Sequence, residues 1–166
     1  ELLRALLMRL GAGPAEAERV AAAIADWRTP GQVPRPNGAK AAQYRAEGRD
    51  YGPPGAPFES LDELQDVRGV TPPMLRALLP YLTLYADRDP IPALAPPVVA
   101  AALGDLGVRG GRGPADAGDV FRITAAAAGR DGVLVVRSAT VKLGLSNNGK
   151  AWRVLSWETT PAPPGT

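Results

Sequence analysis

Proline and glycine decide what this chain can fold into before any other residue is considered. Between residues 28 and 57 lie Pro30, Pro34, Pro36, Pro53, Pro54 and Pro57, with five glycines interspersed. A proline fixes its own φ, lacks an N–H and biases the residue before it toward extended backbone, so no long helix or paired strand fits there. A loop of that length inside a compact domain is either functional or pinned by its own side chains. Tyr44, Tyr51 and Phe58 are the candidate pins, aromatics able to dock while the backbone stays outside. A short helix fits only across the stretch "NGAKAAQYRAEG".

The flanking segments read as helices. Leu2, Leu3, Leu6, Leu7 and Leu10 form one apolar stripe, with Arg4 and Arg9 on the other side, ended by Gly11 and Gly13. Pro14 suits the first turn of a second helix, in which Val20, Ile24 and Trp27 share a face. Periodicity therefore buries Trp27 in the last turn. Asp26 beside it opposes the helix dipole, and its place is explained if its carboxylate clamps the chain that follows Pro30, the alternative being a solvated acid.

Beyond the loop, Ser60 and Glu63 in "SLDEL" form a capping box that opens a short helix, with Gly69 expected as its left-handed cap. Thr71 and Pro72 start the next helix, giving a helical hairpin that breaks at Pro80. One further helix in "PIPALAPPVVAAALGDLG" is expected to close at Gly104. After the glycine-rich "GVRGGRGPADAG", three runs alternate like strands, and Asn148-Gly149 is a strong hairpin signal. The expected fold class is α+β: a helical domain (1–105, SAM-like, helix-hairpin) with a long Pro-rich loop, a connection (106–118), a three-stranded antiparallel β-meander (119–158) and a disordered tail (159–166).

The same residues limit the chemistry. The chain contains no Cys and no His, which removes thiolate nucleophiles and the commonest general base and metal ligand. A net charge of +2, without a dense cluster, gives little pull toward nucleic acid. A helix-hairpin nucleic-acid-binding module is the alternative reading, but in "RGVTPP" two prolines delete amides that would bind phosphate, and only Arg68 and Arg76 are near. Asp87 and Asp89 in "ADRDP" read as turn acids before Pro90. No catalytic, cofactor-binding or metal-binding residues are assigned. Asp26, Trp27, Phe58, Ser60, Glu63 and Gly69 are singled out as structural.

Those residues also carry a resemblance. "LLMRLGAGPAEAERVAAAIADWRTPG", "NGAKAAQY" and "YGPPGAPFESLDELQDVRGVTPPMLRALLPYLTLY", in that order, resemble the helical domain of the K subunit family of the type II secretion system, a minor pseudopilin. "DVFRITAAA", "VRSATVKL" and "WRVLSWE" are similar to that family's C-terminal strands. The resemblance implies a periplasmic protein of the pseudopilus tip, without a reaction of its own. Its implied partners are two smaller minor pseudopilins, the I and J subunits, and secreted substrate. Contact with the inner membrane is implied only through an N-terminal helix absent from this chain; a type IV pilus tip protein is the related alternative. Members of that family follow Gly-Ala with acids and some bind calcium, whereas Lys40 and Ala41 stand here, and an ammonium repels a hard cation. Adding calcium is therefore expected to leave the melting temperature unchanged; a large rise, abolished by chelator, would show a calcium site.

Overall fold

The computed structural model describes residues 1–86, 90–108, 120–128, 134–143 and 152–161. The chain divides into two compact units, Glu1–Leu84 with Ile91–Arg112, and Tyr85–Pro90 with Gly113–Thr166.

The first unit is helical. Helix α1 (Leu2–Arg9) and α2 (Pro14–Trp27) are joined by a turn in which Gly11 takes a φ of 100°, a left-handed value that costs glycine nothing. The short α3 (Ala41–Ala46) lies inside the Pro-rich segment. A 3-10 helix (Leu61–Asp66), α4 (Pro72–Leu78), a 3-10 turn (Leu79–Tyr81) and α5 (Pro97–Asp105) complete it. Their apolar stripes meet in one core built from Leu6, Leu7, Val20, Trp27, Tyr44, Leu64, Val67, Leu78, Val99 and Leu103 with smaller residues between them.

Several expected boundaries shift. The element opened by Ser60 is a 3-10 helix, and it ends at Asp66 with Val67 extended, so Gly69 does not cap it. Gly69, at a φ of 84°, instead occupies the turn closed by Val70 N–H to the Val67 carbonyl at 3.1 Å. A Cβ there would lie 3.2 Å from Val20 Cγ2, so this turn presses against α2. Gly104 lies within α5, and the left-handed residue after that helix is Gly107. The segment does not break outright at Pro80, because Pro80 falls in the first turn of a 3-10 element, Leu79–Tyr81, where its missing N–H would have had no partner within the element.

The second unit is a three-stranded antiparallel sheet in the order β1 (Val120–Ala128), β2 (Leu134–Leu143), β3 (Trp152–Pro161). Pairing of Thr140 with Ser156 but of Val141 with Val154 leaves Leu155 as an extra residue. This bulge corrects the expected strict alternation in β3: it puts Val154 and Trp157, three apart, on one face with Phe121, Ile123, Ala139 and Val141. Thr124, Ser138, Thr140, Ser156 and Glu158 share the other face, where the hydroxyls of Thr124 and Ser138 lie 3.1 Å apart. Strand β3 continues past Glu158, since Thr159, Thr160 and Pro161 pair with Arg137, Val136 and Val135, so residues 159–161 are strand and not tail. Asp87, Asp89, the glycine-rich stretch from 109 and the Asn148-Gly149 turn lie outside the described residues.

One ion pair ties the first helix to the last in the helical unit. Arg9 Nε and Nη2 donate to the two oxygens of Asp105 at 2.8 and 2.5 Å, a bidentate fork across α1 and α5. The guanidinium holds the Asp105 carboxyl below its usual value of 3.8. With a depressed folded pKa, the stabilisation is present above that ordinary value and is lost as pH falls through the folded one. Asp105→Asn is thus expected to melt slightly below wild type at neutral pH and low salt, and to converge with it in acid or in 1 M salt, as read by circular dichroism.

Candidate functional site

The described residues converge chemically at the C-terminus of α2. Any helix ends with carbonyls that have no partner within the helix. Here three of them are met by the segment that follows: the Ala25 carbonyl accepts from Thr29 Oγ1 at 2.7 Å, that of Asp26 from Lys40 Nζ at 2.6 Å, and that of Trp27 from Gly55 N–H at 3.0 Å. Lys40 Nζ also donates to the Thr29 carbonyl. The Pro-rich segment is fastened to α2 at residues 29, 40 and 55.

Asp26 belongs to the same corner. Its side chain is 1% exposed, and Oδ2 accepts from Arg35 N–H at 3.0 Å while Oδ1 faces Arg35 Nε at 3.5 Å. The Arg35 guanidinium is half in water, so the backbone hydrogen bond is the better-insulated contact. Gly38 passes so near that a Cβ there would fall 2.1 Å from Asp26 Oδ2. Close approach, not φ, demands glycine at that position.

Trp27 is 5% exposed and centres an aromatic cluster. Its ring lies parallel to Phe58 at 6.5 Å, tilted on Tyr44 at 5.8 Å and edge-on to Tyr51 at 6.5 Å. The guanidinium of Arg49 sits over Tyr44 at 5.4 Å and over Tyr51 at 5.7 Å. The Tyr44 hydroxyl accepts from Arg68 N–H at 2.9 Å, joining the cluster to the turn that holds Gly69. Burial of Tyr44 pushes its phenol above the usual 10.0, so it stays neutral.

The capping box closes the other side. Glu63 Oε1 accepts from the N–H groups of Ser60 at 2.9 Å and Glu59 at 2.7 Å, and its Oε2 takes the Trp27 indole N–H at 3.3 Å. Ser60 Oγ accepts from Asp62 N–H at 3.1 Å. Hydrogen bonds from Ser60, Glu59 and the indole hold the Glu63 carboxyl below its usual 4.5 against the opposing effect of desolvation. The corner thus brings together Asp26, Trp27, Phe58, Ser60 and Glu63, with Gly69 reached through Tyr44 and Arg68. Lys40, Gly38 and Arg49 are partners that sequence reasoning did not assign to it. Lys40 stands thirteen residues beyond the end of α2, so no local pattern points its ammonium to that helix.

No buried side-chain polar atom among the described residues lacks a hydrogen-bond partner. Nor do three or more His, Cys, Asp or Glu come together there as a metal-binding group. Arg68, the basic residue at the mouth of the helical hairpin, is engaged by Glu47 at 2.5 Å.

The family described as type II secretion system (T2SS), protein K, matches residues 1–87, more than half of the chain, and the chain belongs to that family. It is 31% identical over 87 residues to the type II secretion system protein K of Klebsiella pneumoniae, covering 52% of this chain and 27% of that protein. It is 31% identical over 113 residues to that of Dickeya chrysanthemi, covering 64% and 31%. The chain therefore spans about a third or less of the length of these relatives. A chain of the GspK–GspI–GspJ complex from enterotoxigenic Escherichia coli shares the fold, with a TM-score of 0.67 at 17% identity over 97% of this chain and 69% of that one.

Two substitutions separate burial from hydrogen bonding at Trp27. Trp27→Ala is expected to cost about 3–5 kcal/mol in urea unfolding, and Trp27→Phe, which keeps an aromatic ring but loses the indole donor, markedly less. Glu63→Gln is expected to lose stability above pH 4.5 and to approach wild type as pH falls through the depressed folded value, where the native carboxylate is itself protonated.

Proposed function

We propose that this chain is the helical cap and adjoining sheet of a minor pseudopilin at the tip of a type II secretion pseudopilus. In this reading it assembles with the I and J minor pseudopilins, and its working parts are protein interfaces, without a reaction of its own. The observation that carries it is the agreement between the family match over residues 1–87 and a fold shared along 97% of the chain with a chain of a K–I–J complex. In the same reading the chain is periplasmic; none of the described helices is long and apolar enough to cross a membrane.

Domain limits near residues 105 and 119 and a structural role for Asp26, Trp27, Phe58, Ser60, Glu63 and Gly69 belong to the same proposal. The test is assembly. Mixed with its cognate I and J subunits at on the order of tens of micromolar, the folded chain is expected to elute as a complex in size-exclusion chromatography. Separate elution of all three folded proteins would remove the reading. A salt-dependent DNA shift lost on Arg68→Ala would replace it with the nucleic-acid alternative.

A further inference from the structure

Lys40 is 3% exposed, yet no carboxylate among the described residues forms an ion pair with its ammonium. Asp26, the nearby acid, is committed to Arg35. Lys40 Nζ is held by two backbone carbonyls, those of Asp26 and Thr29. Burying a charge without a counter-ion is costly unless fixed dipoles replace its water. The Asp26 carbonyl, in the last turn of α2, carries such a dipole, because the aligned peptide groups of a helix leave partial negative charge on its last carbonyls; the Thr29 carbonyl, just past the helix, adds a second.

We propose that the end of α2 is a cation-binding cradle whose resident cation is the chain's own Lys40 ammonium, and that its chemical preference is for a small primary ammonium ion. The donor set decides the class. Two neutral carbonyls suit a monovalent ion that donates hydrogen bonds along fixed directions. A hard divalent cation needs six or more oxygens, several of them charged. The cradle orders the segment from residue 29 to 40 with no dissolved ion, since the cation is covalently part of that segment.

Lys40→Ala removes three carbons and the ammonium, the atoms of n-propylammonium. In the whole chain this variant is expected to melt roughly 5 °C or more below wild type, with at least about half of the loss restored by n-propylammonium at roughly 100 mM. Tetramethylammonium, which has the charge but no N–H, should restore none of it, and neither salt should shift wild type. A Lys40→Ala variant that melts like wild type, or responds alike to both salts, overturns the proposal. If that variant does not fold, the wild-type chain gives the answer by nitrogen-15 NMR of the lysine ammonium groups. Exchange of the Lys40 ammonium protons with water at least about tenfold slower than in free lysine supports the cradle; equal exchange overturns it.

Discussion

The carbonyl end of α2 is the constraint on which the rest of the helical unit depends. A buried helix terminus must have its last carbonyls met, and water cannot do so where Trp27 and Tyr44 fill the space. The chain meets them with Thr29, Lys40 and Gly55, three residues drawn from a segment in which proline prevents any long regular element. Proline and capping act together: an irregular backbone has amides to spare for a neighbour, and each proline lowers the entropy lost when the segment is ordered. What looks in composition like a flexible excursion is thereby the cap of a helix.

Magnitudes separate the contributions at this corner. An indole that hides on the order of 200 Å² at about 25 cal/mol per Å² contributes roughly 5 kcal/mol as an upper bound. The hydrogen bond from Trp27 to Glu63 adds about 1 kcal/mol. Burial therefore holds the corner together, and polar contacts orient it. The bond to Glu63 fixes which edge of the indole faces the capping box, and so places Phe58 parallel to the ring rather than elsewhere on its surface. Asp26 acts in the same way: the carboxylate brings Arg35 to the helix end, and Gly38 can then pass without a side chain.

Sequence made the short-range part of this legible and left the long-range part hidden. Trp27 is buried by period, Ser60 and Glu63 cap by spacing, and Tyr44 and Phe58 pin the segment with their rings, whereas Tyr51 stays 41% exposed at the edge of the cluster. Each inference needs only residues within a few positions. The partners of Asp26 and the destination of the Lys40 ammonium depend on how a loop without period folds back, and no local signal encodes that path. Gly69 shows the same limit. Its left-handed φ followed from its type, but whether it ended a helix or turned the chain against Val20 was set by packing across the core. In β3 the alternation that identifies a strand cannot show an inserted residue, so the bulge at Leu155 is visible only in the pairing.

In the proposed role, a surface that is already ordered spends no binding free energy on ordering itself, and the contacts of this corner suit that role. Segments near the end of α2 are tied at both backbone and side chain: residue 40 through its ammonium and through its own N–H to Gln43 Oε1, and residue 49 through its guanidinium to the Asp66 carbonyl. Loops fastened so often have few alternative conformations to lose on association. A proline-rich surface ordered from within can therefore serve as a preformed face for another subunit, whereas a helix-only bundle of this length would expose its terminal carbonyls to water at that place. The composition that excludes regular structure and the contacts that immobilise the result are two parts of one design, in which the outside of the cap is left available because its inside is fully occupied.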